Sequence, residues 1–165
     1  MADVVDTRTR SRMMAGIRTK NTRPELVVRK GLFKMGLRFR LHRNDLPGAP
    51  DVVLPKKRIA VLVHGCFWHS HTNCKLVKSP KTNPDFWRLK LAKNVSRDRR
   101  STAELIAAGW RVLVVWECAT RGSAVGELSS AMSDWIAGGG CYGEVPQCAA
   151  VETGGGMPTT PRICN

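Results

Sequence analysis

The chain has 165 residues, enough for one domain with a proper core but too short for two comfortable ones, so a single domain with tails is expected. Its 27 Lys and Arg residues against 13 Asp and Glu give a formal net charge of +14, which makes nucleic acid a better candidate partner than a membrane surface. No apolar run approaches the roughly 20 residues of a membrane-spanning helix, and the N-terminus lacks the basic and apolar segments of a signal peptide. We therefore expect a cytoplasmic protein with no membrane partner.

The N-terminal part of the chain predicts an arm, a helix and the first strands. Residues 1–21 are polar and basic and predict a separate arm with one short amphipathic stretch. A helix should begin after Thr22, because Thr22 can cap it, proline follows in the first turn and Glu25 occupies the capping-box position. Residues 37–41 alternate between apolar and cationic side chains, which is typical of a strand with one buried face. Residues 51–54 and 58–63 flank a short turn and predict a hairpin whose second strand is central in a sheet.

The C-terminal half predicts a long helix, a buried strand and a second helix. The helix should start at Asn83 and run towards Ala108, the strand should cover residues 111–116, and the last helix residues 124–137. Residues 22–137 would form the folded domain, and residues 138–165 a flexible tail whose three cysteines are incidental. The α-β-β-β-α-β order predicts an α/β fold with a central mixed sheet flanked by helices. This is the core arrangement of restriction-endonuclease-like nucleases, although a fold analogy alone is a weak argument for function.

Asp51 is the first candidate for a catalytic metal ligand. It opens the first strand of the hairpin, where its carboxylate can meet groups from the neighbouring strand that ends at His64. Phosphodiester hydrolysis needs a hard cation to neutralise charge on the phosphate, and carboxylate oxygen suits magnesium. The alternative role for Asp51 is that of a loop aspartate that caps a turn.

Residues 64–74 contain three of the four histidines and two of the six cysteines. In a cytosolic setting this clustering points to metal rather than to disulfides. Cys66, His71 and Cys74 are spaced to bind one ion, and Cys118 could complete a closed tetrahedral site for structural zinc. His69 could take the place of His71 in that site.

The two histidines outside the zinc set are candidates for proton transfer. Of His64 and His69, one could activate water and the other could stabilise the phosphorane or assist the leaving oxygen. Asp98 could fix the tautomer of a base histidine, with a salt bridge to nearby arginines as its alternative role.

Aromatic side chains flank the histidine-rich segment and open the long helix. Phe86 is assigned to the core, the usual location of such a ring. Exposed rings can instead stack on bases or wedge between them. This second role is favoured for residues beside the polar ligands, and the candidates are Phe67, Trp68 and Trp87.

Several separated motifs, in the same order, make the sequence resemble the very-short-patch repair endonucleases. The motifs are Thr9-Arg10-Ser11-Arg12-Met13-Met14, Pro47-Gly48-Ala49-Pro50-Asp51, His64-Gly65-Cys66-Phe67-Trp68-His69, Asn94-Val95-Ser96-Arg97-Asp98-Arg99-Arg100 and Gly109-Trp110-Arg111-Val112-Leu113-Val114-Val115-Trp116-Glu117-Cys118. The resemblance covers nearly all of residues 1–137. It implies a monomeric, magnesium-dependent DNA endonuclease that nicks one strand beside the thymine of a T:G mismatch, the lesion left by deamination of 5-methylcytosine. Such a nick would initiate very-short-patch repair, with double-stranded DNA as the partner and mismatch-repair proteins as further candidate partners.

The resemblance also implies a role for individual residues. Asp51 resembles the magnesium ligand, assisted by the backbone carbonyl of Val63. His69 resembles the base, oriented by Asp98, while His64 would stabilise the transition state or the leaving group. Residues that match the zinc ligands are Cys66, His71, Cys74 and Cys118. Residues that match the DNA wedge are Phe67, Trp68 and Trp87, with Met14 pressing in from the minor groove on the arm; Glu25 would hold a water of the magnesium site.

The sequence departs from the family pattern at Val63, and it leaves two other functions open. Val63 stands where family members commonly carry threonine, an exchange that a ligand acting through its backbone carbonyl should tolerate. A restriction-like nuclease that cuts both strands would share the basic charge and the Asp51 site, but the aromatic wedge argues against it. A zinc-stabilised DNA-binding module without catalysis would make Asp51 dispensable.

Overall fold

The computed structural model describes residues 6–16 and 20–147. The helices are α1 (Thr7–Ala15), α2 (Arg23–Lys34), α3 (Pro84–Ala107) and α4 (Ala124–Ala137). The strands are β1 (Arg40–Leu41), β2 (Val52–Leu54), β3 (Ile59–His64), β4 (Arg111–Trp116) and β5 (Tyr142–Val145). Met14 lies in α1, but its side chain, like Cys148 and Cys164, lies outside what the structure describes.

The strands form one mixed sheet in the order β1-β2-β3-β4-β5. The pairs β1-β2 and β2-β3 are antiparallel, whereas β3-β4 and β4-β5 are parallel. Such a sheet is covered on both faces, which explains why β3 and β4 are apolar along almost their whole length.

The two faces of the sheet bury separate clusters. Alternate residues of β3 and β4, such as Val61 and Leu113, pack with α2 and α4 on one face. The intervening residues, such as Leu62 and Val114, pack with Leu105 of α3 on the other. Within the described residues no helix is both long enough and apolar enough to cross a membrane.

The structure confirms most predicted elements but shortens one. Of the predicted strand 37–41, only Arg40 and Leu41 pair with β2. Leu37 and Phe39 still pack against the core, as the alternating pattern indicated, although they form no strand ladder.

β5 was not predicted, and residues 142–145 therefore do not belong to a flexible tail that starts at residue 138. The guanidinium of Arg111 donates hydrogen bonds to the carbonyls of four residues before β5, with N–O distances of 2.6 to 3.1 Å. The same group stacks on the Trp135 ring at 4.6 Å from its centroid. These contacts span more than twenty residues, so no local pattern reveals that they fix the path into β5.

The assignment of Phe86 to the core is wrong, because its side chain is 57% exposed. The buried residues of α3, Ser101 and Leu105, lie in its C-terminal half. The first turns of this helix therefore present their apolar side chains to solvent or to other aromatic rings rather than to the sheet.

Candidate active site and metal cluster

A cleft of about 1070 Å³ opens at the edge of the sheet where β2 begins and β3 ends. It brings together side chains from α2, the start of β2, the end of β3 and the middle of α3. All five predicted catalytic residues line it: Glu25, Asp51, His64, His69 and Asp98. Val63 and Trp68 also contribute to its wall.

Asp51 lies directly before β2 and faces the end of β3. Its Oδ2 accepts a hydrogen bond from the backbone N–H of Val63 at 2.7 Å. Burial raises the pKa of Asp51 from 3.8 to about 6, and the negative charge of Glu25 adds to the rise. The ionised carboxylate is therefore poorly compensated by the protein alone, which is the condition in which a bound cation is most favourable.

Glu25 is buried and already has several partners. Its carboxylate accepts hydrogen bonds from the backbone N–H groups of Asn21 and Thr22 at 3.0 and 3.2 Å, and from the Thr22 hydroxyl at 2.8 Å. Arg29 donates to Glu25 Oε2 at 2.7 Å, and the same nitrogen lies 3.0 Å from His42 Nε2. One oxygen each from Glu25 and Asp51 and one His42 nitrogen lie within 4.8 Å of one another, close enough to share a metal ion.

The two remaining histidines form a stacked pair beside Asp98. The rings of His64 and His69 are parallel within 5°, with centroids 3.9 Å apart. His69 Nδ1 lies 2.5 Å from Asp98 Oδ2. Although burial alone would raise it, the hydrogen bond and charge of His69 lower the pKa of Asp98. Burial lowers the pKa of His64 to about 3, and the charge of His69 acts in the same direction, so His64 is neutral at physiological pH.

A second cluster, separate from this pair, consists of one histidine and three cysteines. One ligand atom from each of four residues lies within 4.8 Å of the others: Cys66, His71, Cys74 and Cys118. Both Cys66 Sγ and Cys118 Sγ lie 3.5 Å from His71 Nδ1. Of the two histidines that the sequence left open, His71 is thus the one beside the cysteines, and His69 is in the cleft with Asp98. This clustering of ligand atoms could hold a metal ion. Burial raises the pKa of both the Cys66 and Cys118 thiols, so a bound cation would be needed to stabilise their thiolates.

The three predicted wedge residues contact one another at one end of the cleft. The Phe67 ring packs edge-on against Trp68 and Trp87, with centroids 5.1 and 5.6 Å apart. Lys90 Nζ lies 5.4 Å from the Trp68 centroid and 5.2 Å from that of Trp87. The Asn94 amide donates to the backbone carbonyl of Trp68 at 3.1 Å. A partly exposed aromatic surface with a cation over it therefore adjoins the cleft.

Four residues near these sites were not singled out from the sequence. Arg29 and His42 surround Glu25. The Trp116 ring contacts His64 and His71. Its indole N–H donates a hydrogen bond of 2.9 Å to Glu144. His42 was one of only four histidines, which is a usable signal, but arginine, tryptophan and glutamate at the other positions have ordinary roles in any basic α/β protein.

The sequence is similar to those of several known proteins. A family model described as DNA mismatch endonuclease Vsr matches residues 2–76. The chain is 44% identical to DNA mismatch endonuclease Vsr of Escherichia coli over 148 residues, covering 88% of this chain and 94% of the relative. It is 50% identical to Type II nicking enzyme V.XorIIP of Xanthomonas oryzae pv. oryzae over 118 residues, 72% of this chain and 86% of that protein. It is also 43% identical to Type II nicking enzyme V.NmeAIP of Neisseria meningitidis over 125 residues, 76% of this chain and 89% of the relative. The chain therefore belongs to the Vsr family of DNA mismatch endonucleases.

Proposed function

We propose that this DNA mismatch endonuclease nicks one strand of double-stranded DNA beside the thymine of a T:G mismatch, in a reaction that requires magnesium, and so initiates very-short-patch repair. One observation carries the proposal: a single cleft contains the buried Asp51 carboxylate and the His69–Asp98 pair with His64 stacked on it. A carboxylate for a cation and a base with a fixed tautomer are the parts that phosphodiester hydrolysis needs.

The arrangement of elements supports a restriction-endonuclease-like core. From α2 onwards the chain passes through β1, β2 and β3 to α3 and β4, in a mixed sheet with helices on both faces. In our proposal this core spans the domain from residue 22, and the segment before it clasps the DNA, with Met14 of α1 in the minor groove.

Asp51 and the backbone carbonyl of Val63 would hold the magnesium ion. The raised pKa of Asp51 supports this assignment, because a carboxylate that burial deprives of water is a hard oxygen donor whose charge a bound cation would stabilise. When bound, magnesium neutralises the charge that develops on the phosphate. Glu25 already forms an ion pair with Arg29, which offsets its charge. It would therefore hold a water molecule near the ion rather than bind the ion directly.

His69 would act as the general base. Asp98 holds Nδ1 of the imidazole, which leaves Nε2 to take the proton of the water that attacks phosphorus. The P–O bond to the leaving oxygen then breaks on the opposite side. His64, held neutral by burial, would donate a hydrogen bond to the phosphate or to the leaving oxygen without carrying a charge of its own.

We assign zinc to the cluster of Cys66, His71, Cys74 and Cys118, with a structural role. With Zn–S and Zn–N bonds of about 2.3 and 2.0 Å, a tetrahedral site has an S–N edge of about 3.5 Å. Both sulfur-to-nitrogen distances of 3.5 Å to His71 agree with that edge. Metal analysis of the purified protein should find one equivalent of zinc, which is absent from a Cys66→Ser, Cys118→Ser variant.

The aromatic residues Phe67, Trp68 and Trp87 would insert beside the mismatch. A T:G wobble is weakly paired, so unstacking beside it costs less than the few kcal/mol per step expected in matched DNA. The charge of +14 supplies the general attraction to the phosphates. A single nick requires only one active site, so we propose a monomer acting in the cytoplasm; the family resemblance makes mismatch-repair proteins candidate partners.

The decisive experiment is strand-resolved cleavage of end-labelled duplexes that differ only in one T:G or C:G pair, in several sequence contexts. Magnesium is omitted rather than chelated in the control, because a chelator would also extract zinc. We expect one magnesium-dependent nick on the thymine strand of the mismatched duplex. Paired cuts in both duplexes would instead support a restriction-like nuclease, and tight binding without cleavage would support a non-catalytic module.

Two variants complete the test. Asp51→Ala should abolish nicking while DNA binding persists, because the residue would act on the cation and not on the duplex. Asp134→Ala is the matched control, since Asp134 is an exposed aspartate of α4 that does not line the cleft.

A further inference from the structure

Trp116, the last residue of β4, contacts a histidine of each cluster. Its ring is parallel to that of His71 within 5°, with centroids 4.1 Å apart. Its edge meets His64 at a centroid distance of 5.4 Å and an angle of 73°, and the two residues are register partners across β3 and β4. The indole is buried, so its position restricts both imidazoles at once.

Glu144, in β5, fixes this indole by a hydrogen bond. Trp116 Nε1–H donates to Glu144 Oε2 at 2.9 Å, and the Tyr142 hydroxyl donates to Oε1 at 2.5 Å. These two donors therefore use different oxygens of the carboxylate. A buried indole N–H without a partner would cost free energy, so the indole is held in the orientation that keeps this bond.

We propose that Glu144 is a positioning residue: it anchors Trp116, whose ring holds His71 in the metal cluster and His64 in the catalytic cleft. The inference rests on the proposed zinc site and on the proposed role of His64. It makes β5 part of the active-site scaffold and couples metal retention to the nicking rate through one side chain.

The test compares Glu144→Ala, Glu144→Gln and the control Glu127→Ala, an exposed carboxylate of α4. Three quantities are measured on the zinc-loaded protein: solvent exchange of the Trp116 indole N–H by NMR, the rate of zinc transfer to a chromophoric chelator, and single-turnover nicking of a T:G duplex. The indole resonance is identified by its absence from Trp116→Phe.

Glu144→Ala should accelerate indole exchange and zinc transfer and slow nicking. Because Glu144 acts on His71 through Trp116, we expect changes of about 10-fold, the lower end of the range for direct outer partners of a metal ligand. Glu144→Gln keeps one acceptor oxygen and should fall between Glu144→Ala and the wild type, and Glu127→Ala should match the wild type. If Glu144→Ala does not fold, the Glu144→Gln data decide. Unchanged indole exchange in a folded Glu144 variant would overturn the proposal.

A double-mutant cycle tests whether the effect passes through the indole. In a Trp116→Phe background, Glu144→Ala should cause no further loss of nicking, whereas additive losses would refute the route through Trp116. If the wild type binds no zinc, the proposed metal site fails on its own. Indole exchange and the nicking cycle then still decide whether Glu144 positions His64.

Discussion

The buried charge of Asp51 lowers the stability of the folded protein, and the same burial favours its proposed role as a cation ligand. Burial raises its pKa from 3.8 to about 6, so ionising it in the folded protein is harder than in the unfolded chain. A difference of this size corresponds to about 3 kcal/mol at pH values above both pKa values. The cost is fully present above pH 6 and disappears as the pH falls through 6 towards 3.8, because the folded state then binds the proton first.

Asp51→Asn removes this cost but keeps an oxygen that can accept the Val63 N–H bond. The raised pKa already includes the stabilisation of the charged carboxylate by that bond, so nothing further is subtracted. The net expectation at pH 8 is a gain of about 3 kcal/mol, equivalent to a rise in melting temperature of roughly 6–12 °C for a chain of this length. Nicking should be lost, because a neutral amide is a poor magnesium ligand.

The assay is thermal and urea unfolding at pH 8 and pH 5, with zinc retained and magnesium omitted. The cost of the wild-type carboxylate is roughly halved at pH 5, so the advantage of Asp51→Asn should shrink correspondingly. Asp134→Asn serves as the control, since it removes an exposed carboxylate outside the cleft. The reasoning fails if Asp51→Asn is no more stable than the wild type at pH 8, or if its advantage does not depend on pH.

Three further predictions concern the reaction and the duplex. The magnesium concentration for half-maximal nicking should be about ten times higher at pH 5 than at pH 7, because a protonated Asp51 cannot bind the ion; a pH-independent midpoint would argue for another ligand. Asp98→Asn should slow single-turnover nicking by roughly 100-fold or more while gel-shift affinity persists, because an amide cannot select the required His69 tautomer; an unchanged rate would remove Asp98 from the mechanism. Trp68→Ala should weaken binding to a T:G duplex by roughly 10-fold, the loss of one stacked ring; equal affinity would show that this ring does not enter the duplex.

Local chemistry made the main elements predictable. The Thr22 and Glu25 pair at the start of α2 and the proline that opens α3 are signals contained within a few residues. The apolar run of β3 indicated a central strand because a sheet covered on both faces has no polar side. Periodicity failed for β5, a short strand that depends on distant contacts of Arg111.

The amino-acid sequence by itself determined which groups could carry the chemistry: one aspartate at a strand start, a segment dense in histidine and cysteine, and a basic, aromatic surface. Only the tertiary structure decided which of these groups belong to the catalytic cleft and which to the metal cluster. His69 and His71 are two residues apart, but Ser70 between them has a φ of +54°, and the turn sends one ring to Asp98 and the other to the cysteines. Likewise, Asp98 and Glu144 become partners of His69 and Trp116 through separations of 29 and 28 residues. Such pairings depend on how helices and strands pack against one another. A local sequence pattern does not show which residues nearly thirty positions apart will come into contact.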